Sequence, residues 1–323
     1  MSKAYVIANF GGPRTLTEIE PFLRSLLTDK EVIRSSLPQP LHNLLFGRIA
    51  KKRARKITGD YEFIGGSSPI WADTEFVAQE VQNILQQPVF TFHRYLTQTH
   101  DAFFSLLNTT QAESIHIFPM FPQFTYATTG SIAKIFNERV NSKVLKKIFW
   151  VKSYPNHPAY IAAFSEVIAQ FLNEKNLLPK DVYFIFSAHG LPKQFIDQGD
   201  LYAAECRITF DALLRHFPEA AGVLCYQSKF GPGEWIKPYT SEVCESISTY
   251  ISTKKTCVFV PLSFTSDHIE TLFEVEEQYL PIIRRQNMLA LRAPALNRSL
   301  TWISSICHIL SDSTPCSTSM LLR

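Results

Sequence analysis

Short runs of consecutive apolar residues alternate with longer segments of helical periodicity along most of the chain. Seven runs are candidate strands: 4–10, 88–95, 114–121, 146–154, 181–188, 221–228 and 255–263. Nearly all are apolar at consecutive rather than alternate positions, which is typical of strands buried on both faces of a parallel sheet. The pattern therefore predicts a doubly wound α/β protein built as two similar halves.

Helical segments lie between these strands. They cover 15–28, 71–86, 97–108, 157–174, 201–216 and 240–252. The loop-like sequence SYPNHP at 153–158 is the break near the middle, so we predict halves at 1–152 and 153–296. A last helix over 297–310 is expected to pack back on the first half, and the polar tail 311–319 is expected to be frayed.

Composition narrows the class of protein. The chain has 323 residues, 46% of them hydrophobic, and a formal net charge of +3, which argues against a nucleic-acid binder. It contains no uninterrupted apolar run of about 18 residues and no signal-peptide pattern. The six cysteines are scattered without a CxxC pair. We therefore expect a reduced, cytoplasmic protein.

The sequence SFTSDHIETLFEVEEQYL at 263–280 has a column of carboxylates along one side if it is wound as an α-helix. At about 100° per residue, the four acids fall within a sector of roughly 80°, with His268 beside them. They are Asp267, Glu270, Glu274 and Glu277. A solvated helix face explains all four, and a capping box explains the first two. However, the segment follows a strand, where the ligand sites of parallel sheets lie, so a site that handles protons and cations is the third reading.

A histidine also follows a predicted strand, in the sequence FSAHGLP. A neutral imidazole at His189 can accept a proton or bind a metal ion. The alternative is a histidine that merely caps the turn made by Gly190.

Apolar and basic residues are joined in LPQPLHNLLFGRIAKKRARK at 37–56. Leucines precede five basic residues in six positions. One reading is a solvated helix end. The other is a basic amphipathic element that contacts a membrane surface or an anionic apolar ligand.

Together these stretches resemble the ferrochelatase family, whose members insert ferrous iron into a porphyrin. The resemblance extends from about residue 4 to about residue 310, in family order. The matching sequences are NFGGPRTLTEIEPFLRSLL (9–27), IGGSSPI (64–70), PQFTYATTGS (122–131), FSAHGLP (186–192), YQSKFGP (226–232) and PLSFTSDHIETLFEVEEQY (261–279). It implies two similar Rossmann-like halves, each with a four-stranded parallel sheet flanked by helices, and an active-site cleft between them.

The resemblance also implies roles for individual residues. His189 matches the histidine at the macrocycle, as proton acceptor or metal ligand, and Glu270 matches the carboxylate on the opposite wall. The acidic path of the family is matched by Asp267, His268 and Glu274, and its iron side by Arg94 and Tyr95. The basic residues near the porphyrin propionates are matched by Arg53 and Lys56. Other cleft positions are matched by Tyr61, Ser131, Phe264 and Tyr226, the last of which stands in place of a tryptophan. Glu277 extends the acidic column by periodicity alone.

Departures from the family pattern refine the prediction. Animal members bind an iron-sulfur cluster through three closely spaced C-terminal cysteines and one internal cysteine. Here the tail has only Cys307 and Cys316, and Tyr126 stands at the internal position, so we expect no cluster and no required cofactor, with ferrous iron as substrate. The GGP start favours protoporphyrin IX as the second substrate. A coproporphyrin or cobalt chelatase and a non-catalytic haem- or porphyrin-binding protein remain alternatives, and 41–56 is a candidate for peripheral contact with the inner membrane face.

Overall fold

The structure is a computed structural model that describes residues 2–251 and 256–323. The chain divides into two compact units: Met1–Ser153 with Ile306–Arg323, and Tyr154–Ser305. The helix Leu300–Asp312 therefore has its first residues in the second unit and its last in the first unit. Of the helices in the described ranges, none is both long enough and apolar enough to cross a membrane.

The first unit contains a four-stranded sheet whose strands are all parallel. Its strands are β1 (Lys3–Asn9), β2 (Val89–His93), β3 (Ser114–Pro119) and β4 (Ile148–Trp150), in the order β2-β1-β3-β4. After its first residue, β1 is buried throughout, which explains its unbroken apolar run. The α-helices of this unit before the C-terminal segment are α1 (Ile19–Leu27), α2 (Gln39–Phe63), α3 (Ile70–Leu85), α4 (His100–Thr109), α5 (Ser131–Arg139) and α6 (Ser142–Leu145).

The second unit repeats this arrangement within its described residues. Its parallel strands are β5 (Val182–His189), β6 (Ala221–Gln227), β7 (Thr256–Pro261) and β8 (Leu289–Arg292), in the order β6-β5-β7-β8. Its helices are α7 (Pro158–Glu174), α8 (Lys193–Asp197), α9 (Tyr202–Leu214), α10 (Thr240–Glu245), α11 (Ile247–Tyr250), a widened helix over Glu270–Tyr279, α12 (Leu280–Arg284) and the start of α13 (Leu300–Asp312). The two parallel sheets confirm the predicted fold class. The seven predicted strands are present, although residue 255 of the last lies outside the described residues, and β8 was not located by the apolar pattern.

Phenylalanine rings form a cluster in the core of the first unit. Phe92, Phe103, Phe104 and Phe136 pack against one another and against Trp150, with ring centroids 4.9–5.7 Å apart. These rings line the face of the sheet that α4 and α5 cover, so they are structural.

The polar tail is not frayed, contrary to the prediction. The Trp150 amide donates to the Cys316 carbonyl (2.9 Å), and the Cys316 amide donates back to Trp150 (3.0 Å), so the tail pairs with the end of β4. The Trp150 indole donates to the Thr318 hydroxyl at 3.0 Å. A short 3₁₀ helix, Thr318–Leu321, follows, and Leu321 is fully buried in the core of the first unit.

Candidate active site

The helix that follows β7 has π-type winding. Over Glu270–Tyr279 the backbone bonds span five residues, and the Leu280 amide donates to the Val275 carbonyl. This widens the helix to roughly 4.4 residues per turn, or about 80° per residue. Glu270 and Glu274 still share a side, but Glu277 turns away and is exposed. The predicted α-helical column of four acids is therefore wrong, because the winding of the helix is not α.

Glu274 lies in a dense group of donors. Its Oε1 accepts from the Ser228 amide (3.0 Å) and the Tyr279 hydroxyl (2.7 Å), and its Oε2 accepts from the Ser228 hydroxyl (2.6 Å). Ser228 has a φ of +61°, in the left-handed region, and these two bonds hold it there. Burial raises the pKa of the Glu274 carboxyl above its ordinary value, and the nearby Glu270 carboxylate raises it further.

His189 is the last residue of β5, at the carboxyl end of the sheet. Its Nδ1 lies 2.6 Å from the Gly190 carbonyl oxygen. Because a carbonyl can only accept, Nδ1 carries the proton, and in the neutral ring Nε2 has the lone pair. Nε2 lies 3.6 Å from Glu270 Oε1, so an imidazole lone pair faces a carboxylate.

A second imidazole lies on the other side of Glu270. His268 Nε2 is 3.6 Å from Glu270 Oε2, and the His268 ring is 4.8 Å from the Phe264 ring. Glu270 therefore lies between two histidines, with Glu274 one turn further along the helix. Carboxylate oxygen and imidazole nitrogen are both donor types that bind divalent metal ions.

Asp267 is placed differently from the other acids. Its Oδ1 accepts from Arg292 (2.7 Å) and the Thr271 hydroxyl (2.7 Å), and its Oδ2 accepts from the Asn297 side chain (2.8 Å) and the Ala295 amide (3.3 Å). The capping box is not formed, since these donors are not the first amides of the helix. With four donors on it and only 7% of the residue exposed, Asp267 joins the start of the helix to the segment after β8. These contacts favour an anchoring role over a proton relay.

The first unit brings together another predicted group. Arg94 and Tyr95 follow β2, and Ser131 begins α5. The Arg94 Nε donates to the Ser131 hydroxyl at 2.7 Å, and all three side chains donate to one oxygen of Asp29. The sequence reasoning missed Asp29, because it lies two residues beyond α1 and not after a strand.

The comparisons with known proteins identify the family. The ferrochelatase family model matches residues 2–314. The chain belongs to the ferrochelatase family. Ferrochelatase from Chlamydia caviae is 44% identical over 315 residues, covering 98% of this chain and 97% of its own length. That from Chlamydia trachomatis serovar L2 is 42% identical over 309 residues, covering 96% and 95%.

Solved structures agree with the ferrochelatase fold. SirB from Bacillus subtilis with Fe³⁺ has a TM-score of 0.54 at 11% identity, covering 97% of this chain and 96% of its own. CbiX, described as the terminal enzyme of sirohaem biosynthesis in denitrifying bacteria, has a TM-score of 0.51 at 12% identity, covering 97% and 99%. At these identities the likeness concerns the fold alone.

The remaining residues predicted from the ferrochelatase resemblance lie on α2 of the first unit and on β6 of the second. On α2, Arg53 is half-buried, Lys56 is exposed and Tyr61 is buried. Tyr226 of β6 is buried near Cys206 of α9, and this burial raises its pKa. The side-chain amide of the neighbouring Gln227 donates to the backbone carbonyl of Glu270 at 2.9 Å, so β6 contacts the histidine–carboxylate group through Gln227.

The cysteines of this ferrochelatase-family chain are all free. Five are buried and Cys307 is half-buried, and burial raises the pKa of each thiol. Within residues 2–251 and 256–323, no group of three or more histidine, cysteine, aspartate or glutamate side chains is spaced to hold a metal ion.

Proposed function

We propose that this chain inserts ferrous iron into protoporphyrin IX, with release of two protons. The observation that carries the proposal is the His189 imidazole, whose Nδ1 proton is tied to the Gly190 carbonyl while Nε2 faces the Glu270 carboxylate at 3.6 Å. The two N–H bonds of the macrocycle break as the dianion takes up Fe²⁺, so the reaction needs a nearby group that accepts protons near neutral pH.

Each residue of this group has a proposed part. Nε2 of His189 accepts a pyrrole proton or touches the iron, and Glu270 balances the charge that this creates. Glu274, whose pKa is raised by burial and by Glu270, accepts a proton more readily than an ordinary carboxylate and passes it towards solvent. His268 shares Glu270 with His189, and Asp267 fixes the start of the helix.

Other residues are proposed to bind the porphyrin. Arg53 and Lys56 are charge partners for its propionates, and Phe264 offers an aromatic wall beside His268. Tyr61 and Tyr226 are the remaining candidates from the family resemblance, and both are buried.

An anaerobic metallation assay tests the proposal. Purified protein is given ferrous or zinc ion with protoporphyrin IX, and loss of porphyrin fluorescence is followed. His189→Ala and Glu270→Gln should each abolish turnover while the fold survives. Glu277→Gln, on the exposed side of the same helix, is the matched control and should behave as wild type. Full activity in His189→Ala would contradict the mechanism.

The same assay separates the alternatives. Faster turnover with coproporphyrin III or cobalt(II) indicates another chelatase, and a spectral shift without metallation indicates a binding protein. We also propose that iron acts only as substrate, so iron and acid-labile sulfide analysis of the purified protein should find no stoichiometric cluster.

A second proposal concerns the membrane. Leu41, Leu44 and Leu45 at the start of α2 are each about half exposed, at 54%, 53% and 45%, and basic residues follow on the same helix. Exposed leucines beside lysines and arginines suit the surface of anionic lipids. We propose that the protein is cytoplasmic and that it touches the inner membrane face through 41–56.

Vesicle co-sedimentation tests this contact. Wild type should bind vesicles with anionic lipid more strongly than neutral ones, and less so at high salt. Leu44→Ser should weaken binding, whereas Leu178→Ser, equally exposed in the second unit, should not. Equal binding by both variants would refute the assignment to α2.

A further inference from the structure

We infer that Asp29 is a positioning residue for metallation, which acts mainly by orienting Arg94 and holds Tyr95 and Ser131 beside it. The inference rests on the proposed function, and it takes Arg94 and Tyr95 as iron-side residues and Ser131 as a cleft residue, as the family resemblance implies. The inference goes beyond the proposed function because it names the carboxylate that holds these three side chains. Neither the sequence pattern nor the family motifs pointed to Asp29.

Three donors converge on a single oxygen of Asp29. Oδ2 accepts from Arg94 Nη2 (2.8 Å), the Tyr95 hydroxyl (3.0 Å) and the Ser131 hydroxyl (2.5 Å). These donors come from two different segments, the one after β2 and the start of α5. Oδ1 accepts from the Glu31 amide at 2.9 Å, which fixes the carboxylate on its own loop.

The network orients the guanidinium of Arg94. Its Nε donates to the Ser131 hydroxyl (2.7 Å) and its Nη2 to Asp29, so two of its three nitrogens are held. Within the part of the chain that the structure describes, Nη1 has no hydrogen-bond partner, and the side chain keeps 14% of its surface exposed. Asp29 thus holds one side of a planar cation while another side is presented outward.

The burial of the network makes its geometry rigid. The Asp29 side chain is 5% exposed, Tyr95 is 1% exposed and Ser131 is fully buried. Without the carboxylate, the guanidinium loses its charge partner in a poorly solvated place, and the two hydroxyls lose their common acceptor. The side chains then move to other rotamers, and a displacement of about 1 Å is enough to slow a positioned reaction by about 100-fold.

The neighbouring Glu31 supplies the matched control. It lies on the same loop and also pairs with α5, through Lys134 (3.0 Å), and with Arg323 (3.7 Å). It therefore anchors the same loop to the same helix without contacting Arg94 through its side chain. A purely structural role for the loop predicts that both acids matter in the same way.

The experiment compares Asp29→Asn and Glu31→Gln in the full-length protein. We expect folded Asp29→Asn to lose about 10- to 100-fold in kcat/KM for zinc insertion into protoporphyrin, mainly in kcat, and Glu31→Gln to stay near wild type. Both unfolding curves are measured so that kinetics are given per folded molecule. Wild-type kcat and KM in folded Asp29→Asn would overturn the inference.

A double variant keeps the test decisive if Asp29→Asn does not fold. Asp29→Asn with Arg94→Gln removes both charges, so no unpaired charge is left buried. Its kcat/KM should equal that of Arg94→Gln alone, because Asp29 acts largely through Arg94. A further drop of about 10-fold or more would show that Asp29 acts independently of Arg94 and would overturn the inference.

A readout independent of turnover separates this inference from the proposed function. In ¹⁵N-arginine NMR, the Nε–H of Arg94, assigned by its loss in Arg94→Gln, should be protected from exchange in wild type and Glu31→Gln but not in Asp29→Asn. If wild type fails to metallate any porphyrin yet shows this pattern, the proposed function fails and the orienting role stands. An unprotected Nε–H in wild type would refute the orienting role.

Discussion

Gly190 is the position where one methyl group should disturb both the fold and the proposed base. A Cβ added there would lie 2.8 Å from the Gln227 carbonyl oxygen and 3.2 Å from Cε3 of Trp235. The oxygen cannot move aside easily, because it also accepts the Gly190 amide at 2.7 Å. The turn itself must therefore shift, and with it the Gly190 carbonyl that holds Nδ1 of His189.

The size of both effects follows from this contact. Forcing a methyl group into a packed site reduces the free energy of unfolding by about 1–3 kcal/mol. Loosening the hydrogen bond that orients an imidazole reduces activity by about 10- to 100-fold. We therefore expect Gly190→Ala to have a lower urea midpoint and, per folded molecule, a lower kcat for zinc insertion with little change in KM for the porphyrin.

Gly59→Ala is the matched control. Gly59 lies within α2, and a Cβ there would meet no heavy atom within 4 Å. The same substitution should therefore raise the free energy of unfolding, by up to about 1 kcal/mol, and leave turnover unchanged. If Gly190→Ala lost stability but kept its kcat, the Gly190 carbonyl would not orient the imidazole, and the argument for Nε2 as the acceptor would fail.

Three further predictions test other parts of the molecule. Burial lowers the pKa of His100 from 6.5 to about 4, so the wild-type protein should lose up to about 3 kcal/mol of stability as the pH falls through this range. Urea unfolding at pH 7 and at pH 4 should show a smaller loss of stability for His100→Gln than for wild type, and equal losses would refute the assignment. Asp267→Asn removes the 2.7 Å charge partner of Arg292, which keeps Glu276 at 3.2 Å, and should lower the free energy of unfolding by about 1–3 kcal/mol with normal turnover per folded molecule. A normal fold with lost turnover would instead support a proton relay. Leu321→Ala should cost about 2–5 kcal/mol in thermal unfolding, and a change below about 0.5 kcal/mol would mean that the tail is not docked.

The strands were predictable because central strands of parallel sheets are buried on both faces. β5 and β7 are buried at nearly every residue, so each appears as an unbroken apolar run. β8 has only four residues, and it lies at the edge of its sheet with Leu289 half exposed. Its Arg292 points to Asp267 instead of a core, which removes the apolar pattern that would have indicated a strand.

The site was predictable only where a strand leads into it. His189 could be singled out because it follows β5, and the helix of Glu270 because it follows β7. Asp29 follows a helix, and its partners lie 65, 66 and 102 residues away along the chain. Local sequence patterns cannot predict contacts between residues so far apart in the sequence. The prediction of a frayed tail was wrong for a related reason. Cys316 and Leu321 are buried by contacts with distant segments, and the polar composition of the tail gives no sign of those contacts.

The winding of the acidic helix could not be predicted either, yet the site depends on it. On an α-helix, residues five apart are about 140° apart, so Glu274 and Tyr279 would point in different directions. With π-type winding they share a side, and the Tyr279 hydroxyl reaches Glu274 at 2.7 Å. The pattern of buried positions does not distinguish the two windings, because Thr271, Val275 and Tyr279 are four residues apart, a spacing that also suits one face of an α-helix.

The widened helix holds two carboxylates close together, which costs stability but also has a chemical use. π-type winding is rare and occurs often at functional sites. Here it brings the Tyr279 hydroxyl to Glu274 at 2.7 Å, while the pKa of Glu274 is raised by burial and by the charge on Glu270. Two nearby carboxylates destabilise the fold whenever both are ionised. A cation or a proton bound beside the two carboxylates relieves that repulsion, so the geometry that weakens the fold also favours uptake of positive charge.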